Sequence, residues 1–246
     1  MIKNLNKEKI ISLIQARTSS RRLPRKVLYE LGNSTVLGQV IKKARIFSDK
    51  VIVCTSFEES DNEIEDYCKE NNIFCYRGSL ENVFLRYRDV LTKKEFSKYK
   101  WFARLTADNP LLSVKLAENL IHNINNNFDY ICYEGDEIVI GTGIELVKKE
   151  TFLKIDPKSL DKAEKEHVTL HLYEKAEKYK CKFIKSPNRH IQAHIRLTID
   201  YIDDYFLIKK LFEIDSKMSA EKAIKIISRD KSFSEINKNC LQKKIR

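Results

Sequence analysis

The chain has 246 residues, 42% of them hydrophobic, a net charge of +11 and six scattered cysteines with no CxxC pair. That is enough apolar content for a real core in one large or two small domains. No apolar run approaches the ~20 residues that a membrane-crossing helix needs, and the cysteine spacing excludes the common zinc sites.

The net charge invites a nucleic-acid reading. However, the lysines are spread through the chain and no aromatic-and-basic stripe stands out, so a polyanionic small molecule suits the charge equally well. Met1 to Lys9 is polar and lacks an apolar h-region, so no secretory signal is expected and the thiols are expected to be reduced, in the cytoplasm. Cys54, Cys75 and Cys132 lie in apolar strand-like runs and are expected to be buried and inert.

Strand-like and helix-like segments then alternate. Ile11 to Gln15 reads as a first strand, and Val36, Leu37, Val40, Ile41 and Ala44 share one face of a helix. Val51 to Cys54 is a second strand, and Ser60-x-x-Glu63 has the form of a capping box opening a helix through Cys68. Ile73 to Tyr76 is a third strand, followed by a helix carrying Val83, Phe84, Tyr87 and Val90 that Ser79 is placed to cap. Trp101 to Leu105 is a fourth strand, Ser113 is placed to cap a helix through Ile124, and Phe128 to Cys132 is a fifth strand. This alternation predicts an α/β fold with an open, mostly parallel sheet, whose ligands bind at the carboxyl ends of the strands.

After Tyr133 the rhythm changes. Ile138 to Ile140 and Gly143 to Val147 read as short strands around a Gly-Thr-Gly turn, and Ala163 to Tyr179 as an amphipathic helix. Phe183 to Ile184 and Ile191 to Ile199 read as further strands, Tyr205 to Phe212 as a helix, and Ser219 to Arg246 as a helical, very basic tail. With no repeat and no Pro-rich linker, the expectation is one domain, 1–246, with a small β-rich insertion at about 134–195.

The chemistry gathers where these strands end. Arg17 to Lys26 holds four arginines and one lysine among small residues, just past the first strand. Main-chain N–H groups in such a loop form an anion nest, and Arg and Lys add charge and hydrogen bonds, which suits phosphate. In Arg104-Leu105-Thr106-Ala107-Asp108-Asn109-Pro110, the carboxylate of Asp108 falls past the end of a strand and can hold Mg²⁺ over that loop. Asp200 ends the apolar run Leu197-Thr198-Ile199 and is the natural second carboxylate, whereas Asp203 and Asp204 read as residues of a helix N-terminus. Gly78, in Arg77-Gly78-Ser79, lets the chain pass close to a ligand. His167 and His171, one helical turn apart, have a spacing that can bind metal.

Five of these segments, in order, resemble the sugar-nucleotide cytidylyltransferases, with the spore-coat polysaccharide branch nearest and the acylneuraminate and Kdo enzymes as cousins. The loop Ala16, Arg17, Ser20, Arg22, Leu23, Pro24 and Lys26 matches Ala-Arg-x-x-Ser-x-Arg-Leu-Pro-x-Lys without a gap; several members carry Gly where this chain has Ser19 and Arg25. Arg104-x-Thr106-x-Asp108-x-Pro110, Leu197-Thr198-Ile199-Asp200-x-x-x-Asp204, Glu166-His167-Val168-Thr169 and Gly143-Ile144-Glu145 have close family counterparts. In the last, Glu145 stands where Asp is usual, and Lys165 stands where Arg usually precedes Glu166.

The resemblance implies a three-layer Rossmann-like nucleotidyltransferase (GT-A-like) fold. It also implies a cytidylyltransferase that couples CTP to a sugar or sugar-acid acceptor with release of pyrophosphate, for surface glycan biosynthesis. Arg17, Lys26 and Asp108 are then the catalytic set. Ala16, Arg17, Ser20, Arg22, Lys26, Thr55, Arg77, Gly78, Ser79 and Asp108 bind nucleotide. Gly143, Glu145, Glu166 and His167 form the acceptor side, and Asp108 and Asp200 hold the cofactor Mg²⁺. A cytoplasmic homodimer without nucleic-acid or membrane partners is expected. Two other readings stay open: a nucleotide-sugar glycosyltransferase of related fold, for which the chain lacks the usual Asp-x-Asp, and a basic nucleic-acid-binding protein. A degenerate member that binds nucleotide without turnover is disfavoured by the intact Arg17, Lys26, Asp108 and Asp200.

Overall fold

The computed structural model of the protein describes residues 9–186 and 195–242. Strand β1 (Ile10–Gln15) is buried on both faces, as its unbroken apolar run requires. After the basic loop, a short hairpin of β2 (Glu30–Leu31) and β3 (Ser34–Thr35) leads into α1 (Val36–Phe47), where the Thr35 hydroxyl accepts from the Gly38 N–H at 3.0 Å. Strands β4 (Lys50–Ser56), β5 (Phe74–Gly78), β6 (Trp101–Thr106), β7 (Tyr130–Tyr133), β8 (Glu145–Lys148) and β9 (Cys181–Ile184) join β1 in a seven-stranded sheet of order β5-β4-β1-β6-β8-β7-β9. Among the described residues, β8 alone runs against the other strands of that sheet. β1 lies between β4 and β6, parallel to both, so the loops leaving β1, β4 and β6 open on one edge.

The helices are α1, α2 (Asn62–Glu70), α3 (Val83–Thr92), α4 (Val114–His122), α5 (Lys149–Lys154), α6 (Lys162–Glu166), α7 (Leu170–Glu174), α8 (Ile202–Ile214), α9 (Ala220–Arg229) and α10 (Lys231–Ile236). Alternation along β1 sorts them into layers. Ile10 and Ile14 pack with Leu37, Val40, Ile64 and Leu120 from α1, α2 and α4, whereas Ile11 and Leu13 pack with Phe84, Tyr87 and Phe152 from α3 and α5. Each such fully buried side chain contributes about 1.5–3 kcal/mol. A third cluster ties Leu207, Leu211 and Ile227 of α8 and α9 to Leu111, Leu197 and Ile199, which holds residues 195–200 beside the sheet.

Several local expectations change. The predicted helix over 163–179 is two short helices, because Val168 takes φ 36°, a left-handed value that a β-branched residue resists. The Ser60/Glu63 box does not form, since α2 starts at Asn62 and Asp61 is used elsewhere. Asn82, not Ser79, caps α3, accepting from the Leu85 N–H at 3.0 Å, whereas Ser113 caps α4 as expected. Ile138 to Ile140 is no strand, and Ile140 makes one bridge with Arg196. Of the predicted strand Ile191 to Ile199, positions 191–194 lie outside the described residues and the rest adds only that bridge. Within about 134–195, β8 and β9 complete the main sheet and α5 to α7 lie between them. The basic tail breaks at Asp230 into α9 and α10, and its last four residues lie outside the described residues.

The Gly-Thr-Gly turn serves a close approach. Gly141 has φ 90°, and a Cβ there would stand 2.6 Å from Leu197 C and Thr198 N. Gly141→Ala is therefore expected to destabilise the protein by about 3 kcal/mol, from backbone strain plus overpacking against a segment that cannot yield without moving Asp200. Denaturant unfolding measures the change, and a loss below about 1 kcal/mol would count against this packing.

Candidate active site

The site starts from how β1 ends. The Ala16 N–H donates to Cys54 O at 3.1 Å and the Ala107 N–H to Gln15 O at 3.0 Å, so the basic loop leaves between β4 and β6. Asp61, fully buried, staples that loop to the end of β4. Its Oδ1 accepts from the Thr18 N–H at 2.7 Å and lies 2.8 Å from the Thr18 hydroxyl, while Oδ2 accepts from the Ser56 N–H at 3.2 Å and the Ser56 hydroxyl at 2.5 Å. Burial pushes the Asp61 carboxyl up, but these donors outweigh it and hold the group below the usual aspartate value. Arg25, where several family members have Gly, adopts a left-handed φ of 59°, at a cost of roughly 1–2 kcal/mol.

Lys26 follows on a single helical turn and points inward, its side chain 7% exposed. Its Nζ donates to Asp108 Oδ2 at 2.8 Å, Asp200 Oδ1 at 3.0 Å and Ile199 O at 2.5 Å. Burial pulls the Lys26 ammonium down, and the two carboxylates more than reverse that, leaving it above the usual lysine value. Burial likewise raises Asp108, and Lys26 overcomes it, leaving the carboxyl below the usual value. The Ile199 N–H donates to Asp108 O at 2.9 Å, which brings the two aspartate-bearing segments side by side.

Asp200 carries further partners. Arg22 reaches Oδ1 at 2.8 Å while its guanidinium lies 4.7 Å over the Tyr201 ring, and Arg196 Nη2 donates to Oδ2 at 2.5 Å. Arg196 Nε also meets both oxygens of Asp204, at 3.1 and 3.3 Å. Asp204 lies in the first turn of α8, as expected, and is fully buried, accepting from the Asp200 and Tyr201 N–H groups at 2.9 and 3.0 Å, so it also anchors the site.

The expected nucleoside side is mostly occupied by the protein's own contacts. Arg77 donates to Ser56 O, Glu58 O, Asn62 Oδ1 and Glu65 Oε2 at 2.7–2.9 Å, which uses its guanidinium to bind the 56–65 segment. Thr55 has no exposed surface and lies within β4. Gly78 makes room for Arg86, whose Cγ would stand 2.6 Å from a Cβ there. Ser79 is exposed, its hydroxyl accepting from the Asn82 N–H at 3.2 Å, and Ser20 lies in the loop with its N–H on Thr18 O at 2.9 Å.

On the expected acceptor side, Gly143 and Glu145 line a cavity of about 160 Å³ with Arg104, Thr106, Asn109 and Tyr133. Glu145 is held by Arg104 at 3.3 Å, the Tyr130 hydroxyl at 2.6 Å and the Thr169 hydroxyl at 2.9 Å. Glu166 pairs with Arg17 at 3.0 Å. Burial, with Arg104 nearby, lowers the pKa of His167, which favours the neutral imidazole. His171 is taken up by Glu164 at 2.8 Å and Tyr179 at 3.0 Å, so the two histidines do not form a metal pair.

The donors fit a divalent ion. Two carboxylates already converge on one cationic atom, Lys26 Nζ. Among the described residues no group of three or more His, Cys, Asp or Glu is placed to hold a metal ion, so the remaining ligands would be phosphate oxygens and water, the coordination Mg²⁺ prefers. Sequence reasoning missed Asp61, Arg196 and Asn237. Arg196 stands four residues before the strand-end Asp200, the available signal; Asn237 had no signal.

The family model described as Cytidylyltransferase matches residues 11–241. An uncharacterized protein of Methanocaldococcus jannaschii is 31% identical, over 97% of this chain and 98% of its own. The spore coat polysaccharide biosynthesis protein SpsF of Bacillus subtilis is 30% identical, over 90% of this chain and 95% of its own. A cytidylyltransferase structure from Leptospira borgpetersenii superposes with a TM-score of 0.83 at 26% identity, covering 96% of this chain and 99% of that one. A CMP:2-keto-3-deoxy-manno-octonic acid synthetase complexed with CTP shares the fold at 13% identity, with a TM-score of 0.61 over 84% of this chain and 99% of that one.

Proposed function

The chain belongs to the cytidylyltransferase family, and from that premise we propose that it couples CTP to a sugar or sugar-acid acceptor, releasing pyrophosphate, in the synthesis of a surface glycan. The observation that carries this reading is the meeting of Lys26, Asp108 and Asp200, from three separate motifs, at the carboxyl edge of the sheet. An acceptor oxygen attacks the α-phosphorus in line, the bond to the β-phosphate bridging oxygen breaks, and pyrophosphate leaves, with no covalent enzyme intermediate needed. Arg17 and Lys26 stabilise the departing charge. Asp108 and Asp200 would hold Mg²⁺, which when bound offsets charge on the phosphate oxygens. The polysaccharide role named for the Bacillus subtilis relative and the CTP held by the synthetase of matching fold support the substrate classes. A homodimer and a cytoplasmic location belong to the same reading, on the resemblance.

The test is a melting-temperature titration with CTP, GTP, UTP and ATP, with and without Mg²⁺. The expected result is a Mg²⁺-dependent rise of several degrees for CTP alone, as ligand linkage requires for binding well above Kd. A rise for another nucleotide would change the product class. No response to any of the four would overturn the reading.

A further inference from the structure

The basic C-terminal segment belongs to none of the motifs that suggested a function, yet its one buried amide reaches the site. Building on the reading of Asp200 as a metal-side carboxylate, we propose that Asn237 is a positioning residue for Asp200, acting through Arg196 and Asp204. Asn237 closes α10 and is 5% exposed. Its Nδ2 donates to Arg196 O at 3.2 Å and to Asp204 Oδ1 at 2.9 Å, so both amide hydrogens are used.

Each partner then acts on Asp200. Asp204 holds the Asp200 N–H at 2.9 Å, and Arg196 holds Asp200 Oδ2 at 2.5 Å. The third guanidinium nitrogen of Arg196, Nη1, donates to Gln242 Oε1, a second contact from the same segment. Phe233 of α10 and Ile227 of α9 are buried in the cluster that contains Leu197 and Ile199, which seats the segment in place. The amide is chemically required. Ala would remove two donors, and Asp would set a third carboxylate against Asp204. Asn237 touches none of the proposed phosphate-binding or metal-holding groups directly, so it acts at one remove, as outer-shell partners of metal ligands do.

The test measures kcat, KM for CTP and the half-saturating Mn²⁺ concentration, with Mn²⁺ binding in the presence of CTP followed separately by the loss of the free-ion paramagnetic signal. Asn237→Ala, assayed well below its melting temperature, is expected to lower kcat about tenfold and raise half-saturating Mn²⁺ by a similar factor, with KM for CTP within about twofold. Asn237→Asp, despite its equal size, is expected to be at least as impaired. Gln242→Ala, at an exposed position, is expected to move kcat and Mn²⁺ about threefold in the same direction. It decides the matter if the Asn237 variants do not fold. Wild-type kcat and Mn²⁺ response in folded Asn237→Ala, or in Gln242→Ala where the Asn237 variants do not fold, would overturn the proposal. A wild-type protein that neither binds CTP nor releases pyrophosphate would instead overturn the functional reading beneath it.

Discussion

Asp108→Asn is expected to reduce pyrophosphate release by about 10³-fold while leaving the melting temperature within a few degrees of the wild type. Asn keeps the shape of the side chain and removes its charge. The stability change is small because Lys26 retains Asp200 at 3.0 Å and Ile199 O at 2.5 Å, and because the Asp108 side chain, 25% exposed, is partly solvated. Turnover suffers far more, since one of the two carboxylates proposed to hold the divalent ion becomes a neutral amide. The check is a steady-state pyrophosphate assay beside a thermal melt. Activity above about a tenth of wild type would remove Asp108 from the catalytic set.

Lys26→Met is expected to cost a similar factor in turnover and to change metal binding in the opposite sense. In the protein without nucleotide, the Lys26 ammonium stands where the two carboxylates meet. Removing it leaves Asp108 without that counter-charge, while Asp200 keeps Arg22 and Arg196. Breaking a fully buried pair costs about 3–5 kcal/mol; exposure of Asp108 and the two arginines on Asp200 reduce the expected loss here to about 1–2 kcal/mol. With the ammonium gone, Mn²⁺ should bind the variant more tightly than it binds wild type when nucleotide is absent. Equal Mn²⁺ affinity in the two proteins would show that Lys26 does not compete for the carboxylates. The pair contributes fully near neutral pH. Because Lys26 is raised, its share is lost only as pH climbs through that elevated value; because Asp108 is depressed, its share is lost as pH falls through that lowered one.

Much of this architecture is legible in the residues. Strands β1, β4 and β6 announce themselves as apolar runs of four to seven residues, and Ser113 caps its helix as its position suggests. The concentration of charge is legible too, because four arginines and a lysine follow the buried strand within ten residues. The misreadings have local causes. The Ser60/Glu63 spacing has the form of a capping box, but Asp61 between them is drawn into the Thr18 staple, whose partner is 43 residues away. Arg77, expected beside the nucleotide, also binds the 56–65 segment, a set of contacts that no local pattern announces. The helix over 163–179 had continuous amphipathic spacing, and only the packing that forces Val168 to φ 36° divides it.

Strand, helix and loop identity, the position of the basic loop and the two strand-end aspartates were set by neighbours in the chain, since hydrophobic period and cap chemistry act over a few residues. The joining of those parts was not. Lys26 meets Asp108 and Asp200 across 82 and 174 residues, and Asn237 reaches Arg196 across 41. Those contacts exist because β1 is sandwiched between β4 and β6, Gly141 admits the Leu197–Thr198 backbone, and α8 to α10 press that segment inward. Burial then gives the charges the low-dielectric surroundings in which their pairing carries weight, a property of the packed molecule that no stretch of sequence possesses alone.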